Sequence, residues 1–72
     1  MTNTELLEAY IARSGKKKTY LAQKCGLSLN GFRNCCTNRA EFRVSHIRIL
    51  MVELGIHTSE ECCAIFFDSD GA

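Results

Sequence analysis

Apolar residues recur every three or four positions along most of the chain, and no stretch alternates apolar and polar residues as a half-buried strand would. This pattern predicts five short helices. Over residues 4–14, Leu6, Leu7, Tyr10 and Ile11 share one face. Thr4 is the expected cap, and Gly15 is the expected stop after Arg13 in the last turn. A second helix is predicted from about residue 18 to 25, with Leu21, Ala22 and Cys25 as its buried stripe and Gly26 in a left-handed turn. Leu27 then returns to the core, and Ser28 is placed to cap a third helix from residue 29 to about 37. There Phe32 and Cys35 point inward, while Leu29, Asn30, Arg33 and Asn34 face away. Residues 38–43 read as a polar loop anchored by Phe42. In a fourth helix, about 44–54, the stripe is Val44, Ile47, Leu50, Met51 and Leu54. Gly55 stops that helix. Thr58 or Ser59 caps a fifth, with Glu60 and Glu61 in its acid-favouring first turn and Cys62, Ile65 and Phe66 packing inward. Residues 68–72 read as a frayed tail.

Seventy-two residues make a single domain with one modest core, spanning residues 1–72. The expected fold class is all-α. The longest apolar run, residues 62–67, is far short of a membrane span, and the expected compartment is the cytoplasm.

Net charge is only +1, but the charges are segregated. All nine Lys and Arg lie between Arg13 and Arg48, where Glu41 is the one acid, so this middle carries +8. Residues 1–12 carry −2 and residues 49–72 carry −5. A basic middle between acidic ends fits a face that binds a polyanion. A merely solvated basic face is the plainer alternative.

The five cysteines, Cys25, Cys35, Cys36, Cys62 and Cys63, are odd in number and read as reduced thiols. Their two vicinal pairs lack metal-knuckle spacing, because adjacent side chains on a helix diverge by about 100°. Cys25, Cys35 and Cys62 are expected as small buried hydrophobes. A redox role for Cys36 requires it to be exposed beside basic residues, which would lower its pKa. His46 and His57 stand apart, with no carboxylate pattern between them, and read as surface residues. There is no nucleophile–base pair, phosphate loop or paired-carboxylate pattern. Neither an enzyme activity nor a cofactor, metal or small-molecule ligand is expected.

Residues 18–37 carry the most information. Two helices that cross closely need a small residue at the crossing, a glycine at the turn, and apolar residues on both inner faces. Ala22, Gly26, and the set Leu21, Cys25, Leu27, Phe32 and Cys35 meet those needs, and Ser28 starts the second helix of the pair. The run Leu21-Ala22-Gln23-Lys24-Cys25-Gly26-Leu27-Ser28 resembles the "LAxxLGxS" segment of the Cro/repressor type of phage helix-turn-helix regulator, the lambda-repressor-like and xenobiotic-response-element-like superfamily. Residues 41–47 look like that family's lead into a fourth helix, and residues 59–67 are similar to its closing helix, so the likeness covers most of the chain. Lys18 stands where the family often has Gln, and Arg43 and His46 stand where Thr and Glu usually form a capping box.

The resemblance implies a compact five-helix domain whose third helix lies in the DNA major groove. Leu29, Asn30, Arg33 and Asn34 would then take base-reading positions. Asn can pair with adenine, Arg with guanine, and Leu29 can meet a thymine methyl. Lys17, Lys18, Ser28, Asn38, Arg39 and Arg43 would contact phosphates and set position. The implied function is a sequence-specific transcriptional regulator of phage or mobile-element type. It would bind double-stranded DNA as a homodimer through the C-terminal helix at Phe66 and Phe67. The alternative is a protein-interaction module, antirepressor or antitoxin-like, that keeps the helix-turn-helix fold and uses the acidic C-terminal third as its surface.

Overall fold

Side-chain caps set off α1, α3 and α5, and at least one fully buried side chain ties every helix to the core. The computed structural model describes residues 1–67; the tail expected at residues 68–72 lies outside them. Five helices follow in order: α1 (Thr4–Ser14), α2 (Lys18–Lys24), α3 (Leu29–Cys36), α4 (Val44–Glu53) and α5 (Ser59–Phe66). There is no strand among the described residues. The all-α expectation therefore holds at the level of helix number and order.

The caps show why the boundaries fall where they do. Asn3, not Thr4, caps α1: its side chain accepts the Leu6 N–H at 3.1 Å. Asn is among the best N-cap residues, and its extended backbone leaves Thr4 free to begin the helix. Gly15 closes α1 at φ 72°, a left-handed conformation that glycine adopts without a Cβ clash. Gly26 does the same after α2, again at φ 72°, and Leu27 N–H then bonds back to Ala22 O at 2.9 Å. Ser28 caps α3 by accepting the Gly31 N–H at 3.0 Å. Thr58, rather than Ser59, caps α5 through the Glu61 N–H at 3.1 Å.

At α4 the Arg43/His46 exchange leaves half of a capping box. A guanidinium has no acceptor to offer the first turn. His46 still reaches back, and its Nδ1 accepts the Arg43 N–H at 3.2 Å.

Leu7, Leu21, Phe32, Leu50 and Ile65, one from each helix, are 0 % exposed. Each such side chain contributes about 1.5–3 kcal/mol of burial. Ile11, Ala22, Cys25, Cys36, Ile47, Leu54, Ile56 and Phe66 complete the cluster. Phe42 hinges the α3–α4 loop onto it, with its ring edge-on to Phe32 at 5.9 Å and to Phe66 at 5.5 Å between centroids.

Two expected placements are corrected: Val44 on the inward stripe of its helix, and Cys36 exposed beside basic residues. Val44 is 66 % exposed, because it opens α4 ahead of the point where that helix meets the core. Cys36 is buried in α3, since α3 packs against α1 as well as α2.

Long-range polar pairs lock the helices in place. Tyr10 Oη donates to Glu61 Oε2 at 2.6 Å, joining α1 to α5. This bond pushes the Tyr10 phenol up in pKa and holds the Glu61 carboxyl below its usual range. Lys16 Nζ donates to both Glu53 O and Glu53 Oε1 at 2.8 Å, which ties the α1–α2 connection to the end of α4.

Candidate nucleic-acid interface

The geometry of α2 and α3 decides what the basic middle can present. α2 ends at the left-handed Gly26, the chain turns through Leu27, and α3 starts at the Ser28 cap. The inner face of α3 is Phe32, Cys35 and Cys36, all buried. Its outer face is therefore fixed: Asn30 and Arg33 are exposed, while Leu29 and Asn34 are half-buried at the margins of that face. The four residues assigned to base reading thus share one side of one capped helix, opposite its anchor. Among them, Asn30 and Arg33 project most freely.

Gly31 has a local structural role. A Cβ there would lie 3.2 Å from Ser28 Oγ, the atom that caps the helix. Its lack of a side chain keeps the cap uncrowded at the end of α3 nearest the turn.

The expected phosphate contacts divide into two groups. Lys17, Arg39 and Arg43 are exposed. Lys17 precedes α2, Arg39 follows α3, and Arg43 precedes α4, so they bracket the two-helix unit. The other three carry internal duties. Lys18 Nζ lies 2.8 Å from Glu8 Oε2 of α1, so a phosphate there would displace a carboxylate. Ser28 Oγ accepts the Gly31 N–H, although its hydroxyl proton is still available to a phosphate.

Asn38 is the more consequential case. Its side-chain Oδ1 accepts the Thr2 N–H at 3.0 Å and its Nδ2 donates to Thr2 O at 2.9 Å. Its backbone sits at φ 63°, a left-handed conformation that asparagine tolerates better than most residues. The side chain expected to meet a phosphate is a clamp that holds the loop carrying Arg39. Sequence reasoning missed this role. The one available signal was an Asn just past a helix end, a common left-handed position.

Other bases are placed on aromatic rings. The Arg13 guanidinium stands 4.3 Å above the Tyr10 ring centroid. Lys16 Nζ and Lys24 Nζ lie 5.9 and 5.8 Å from the Tyr20 ring centroid. Among the described residues the ion pairs are Lys16–Glu53 and Lys18–Glu8, which leaves the basic surface beside α3 largely uncompensated.

All five cysteines are free thiols. Burial pushes the Cys36 thiol up to about 12, the reverse of what a redox switch beside DNA requires. Burial raises Cys25 and Cys35 as well. Cys63 is exposed and Cys62 half-buried. Alkylation of the native protein at mildly alkaline pH should therefore label Cys63 first. Cys25, Cys35 and Cys36 should be labelled only when the chain unfolds, with mass spectrometry of the digested protein giving the order. Equal rates at Cys36 and Cys63 would contradict this placement.

No group of three or more metal-ligating side chains comes together among the described residues. Among the described residues no helix is long and apolar enough to cross a membrane. No protein-family model matches the chain, and neither a curated protein nor a solved structure does.

Proposed function

We propose that this chain is a sequence-specific DNA-binding regulator, in which α2 and α3 form a helix-turn-helix and α3 enters the major groove. One observation carries the reading. α3 is capped and pinned on its inner side by Phe32, Cys35 and Cys36, so Asn30 and Arg33 stand on its open side, flanked by the exposed Lys17, Arg39 and Arg43.

The chemistry of each residue follows. Arg33 can donate two parallel hydrogen bonds to guanine O6 and N7. Asn30 or Asn34 can pair with the adenine edge, and Leu29 can pack on a thymine methyl. Lys17, Arg39 and Arg43 would hold phosphates and set the helix in register, with Lys18 joining them once Glu8 is displaced. One eight-residue helix reads too few base pairs for useful selectivity, so the protein would act as a homodimer on an operator with two half-sites. Phe66 is 4 % exposed and packs on Phe42, so it serves the protomer's own core. Phe67, at 57 % exposure, is the part of the C-terminal end available to a partner.

The test is selection of bound fragments from a random DNA pool at about 150 mM salt, which suppresses purely electrostatic binding. The Arg33→Ala/Asn34→Ala variant runs in parallel. The expected result is an enriched two-fold motif that the variant loses, at a cost of roughly 1–3 kcal/mol per bidentate contact. A folded protein that enriches nothing would overturn the operator-binding reading. It would favour the protein-interaction reading, in which the acidic C-terminal third, Glu53 to Asp70, forms the working surface.

A further inference from the structure

The outer side of α4 is unusually apolar for a face turned to water. Val44, Arg48 and Val52 recur every four residues and so form one stripe. All three are exposed, Val52 by 79 %. Beside them, Met51, Ile56 and His57 complete a shallow groove of about 450 Å³ with Arg48 and Val52. Met51, Val52 and Ile56 give it an apolar lining, and Arg48 and the exposed His57 line it as well. The groove therefore suits an apolar side chain followed by carboxylates.

The chain itself contains such a segment. Phe67 follows α5 as its C-terminal cap and is 57 % exposed. Asp68 and Asp70 follow it, and no Lys or Arg occurs after Arg48. A recess of about 380 Å³ beside Phe67 would be a competing acceptor, but it presents Glu41 to an acidic tail and offers no Lys or Arg side chain.

We propose that the α4 groove receives the C-terminal end of a second copy of this chain. Phe67 packs against Met51, Val52 and Ile56 of the partner, and the acids that follow it in sequence, Asp68 and Asp70, carry charge opposite to that of Arg48. Each copy gives its end and receives its partner's, which closes a dimer and leaves no open chain of molecules. The proposal rests on the reading of the protein as a homodimer and supplies that dimer's acceptor surface. It also gives a role to Arg48, the base farthest along α4 from the helix-turn-helix unit.

The experiment is sedimentation equilibrium of the full chain over a concentration series, with and without the selected DNA, after circular dichroism has shown each variant to be folded. Arg48 and Val52 are exposed, so substitutions there leave the core intact. The wild type should sediment at twice the 8.1 kDa chain mass. Arg48→Glu and Phe67→Ser should each weaken self-association about tenfold or more, as expected for a residue central to a small interface. Adding Asp68→Lys and Asp70→Lys to Arg48→Glu should restore much of the loss. A dimer that ignores both Arg48→Glu and Val52→Glu would place the interface elsewhere and overturn the proposal, while the homodimer reading stands. Failure of the charge reversal to recover association would overturn it too. A wild type that stays monomeric on and off DNA would remove the homodimer reading itself.

Discussion

Replacing Phe32 with Ala is expected to unfold the protein at 25 °C. Phe32 is 0 % exposed, lies in the middle of α3, and meets Phe42 edge-on at 5.9 Å. Truncating a buried Phe costs about 3–5 kcal/mol in transfer and cavity terms together. A core of this size supplies a net stability of about 3–5 kcal/mol, so the loss consumes the whole margin. Thermal melting followed by circular dichroism reads the outcome, with Gln23→Ala on the exposed side of α2 as the unchanged control. A Phe32→Ala protein that melts within a few degrees of wild type would mean that α3 is not pinned to the core as described. The outward placement of Asn30 and Arg33 would then lose its basis.

The second large effect is on DNA affinity. If about six phosphates are neutralised, the affinity should fall by about 10³ between 50 and 200 mM salt, because each contact releases counterions condensed on the duplex. Arg39→Ala and Arg43→Ala should each lower the salt slope by about one and weaken binding to all sequences alike. Arg33→Ala should instead flatten the preference at one base position. Glu8→Gln should act in the opposite sense, since it releases Lys18 from a carboxylate 2.8 Å away and makes the salt slope steeper. Fluorescence anisotropy with a labelled operator, titrated at several salt concentrations, separates these cases. A salt-independent affinity would exclude the phosphate-contact scheme.

Features set within one turn of the chain were legible in advance. Ser28 before an apolar run announced the start of α3, and Gly15 and Gly26 announced left-handed stops, because caps and turns depend on a few neighbouring residues. Cys36 was missed, although it lies four residues after Phe32 and thus on the same face. Its burial follows from a spacing the sequence displays. Val44 was harder: periodicity places it on the apolar stripe but cannot say that the core stops short of the first turn of α4.

The pairs Thr2–Asn38, Tyr10–Glu61 and Lys16–Glu53 had no local signal at all. Their partners are 36, 51 and 37 residues apart, and only the packed fold brings them together. For the candidate interface, the outward residues of α3 could be read from the stripe they avoid. What could not be read was that Lys18 and Asn38 are already engaged.

The chain's start spans two regions with separate proposed tasks. Asn38 grips both backbone groups of Thr2, while the next residue, Asn3, donates its N–H to Ile65 O near the end of α5 at 2.7 Å. These first residues act as a strap between the loop that carries Arg39 and the helix that leads into Phe67. Whatever free energy the strap passes in one direction it must pass equally in the other. To the extent that DNA bound at the loop steadies the end of α5, pairing of two copies there tightens the grip on DNA by the same factor. Residues that look expendable at the edge of a small domain would then set how sharply operator occupancy responds to protein concentration.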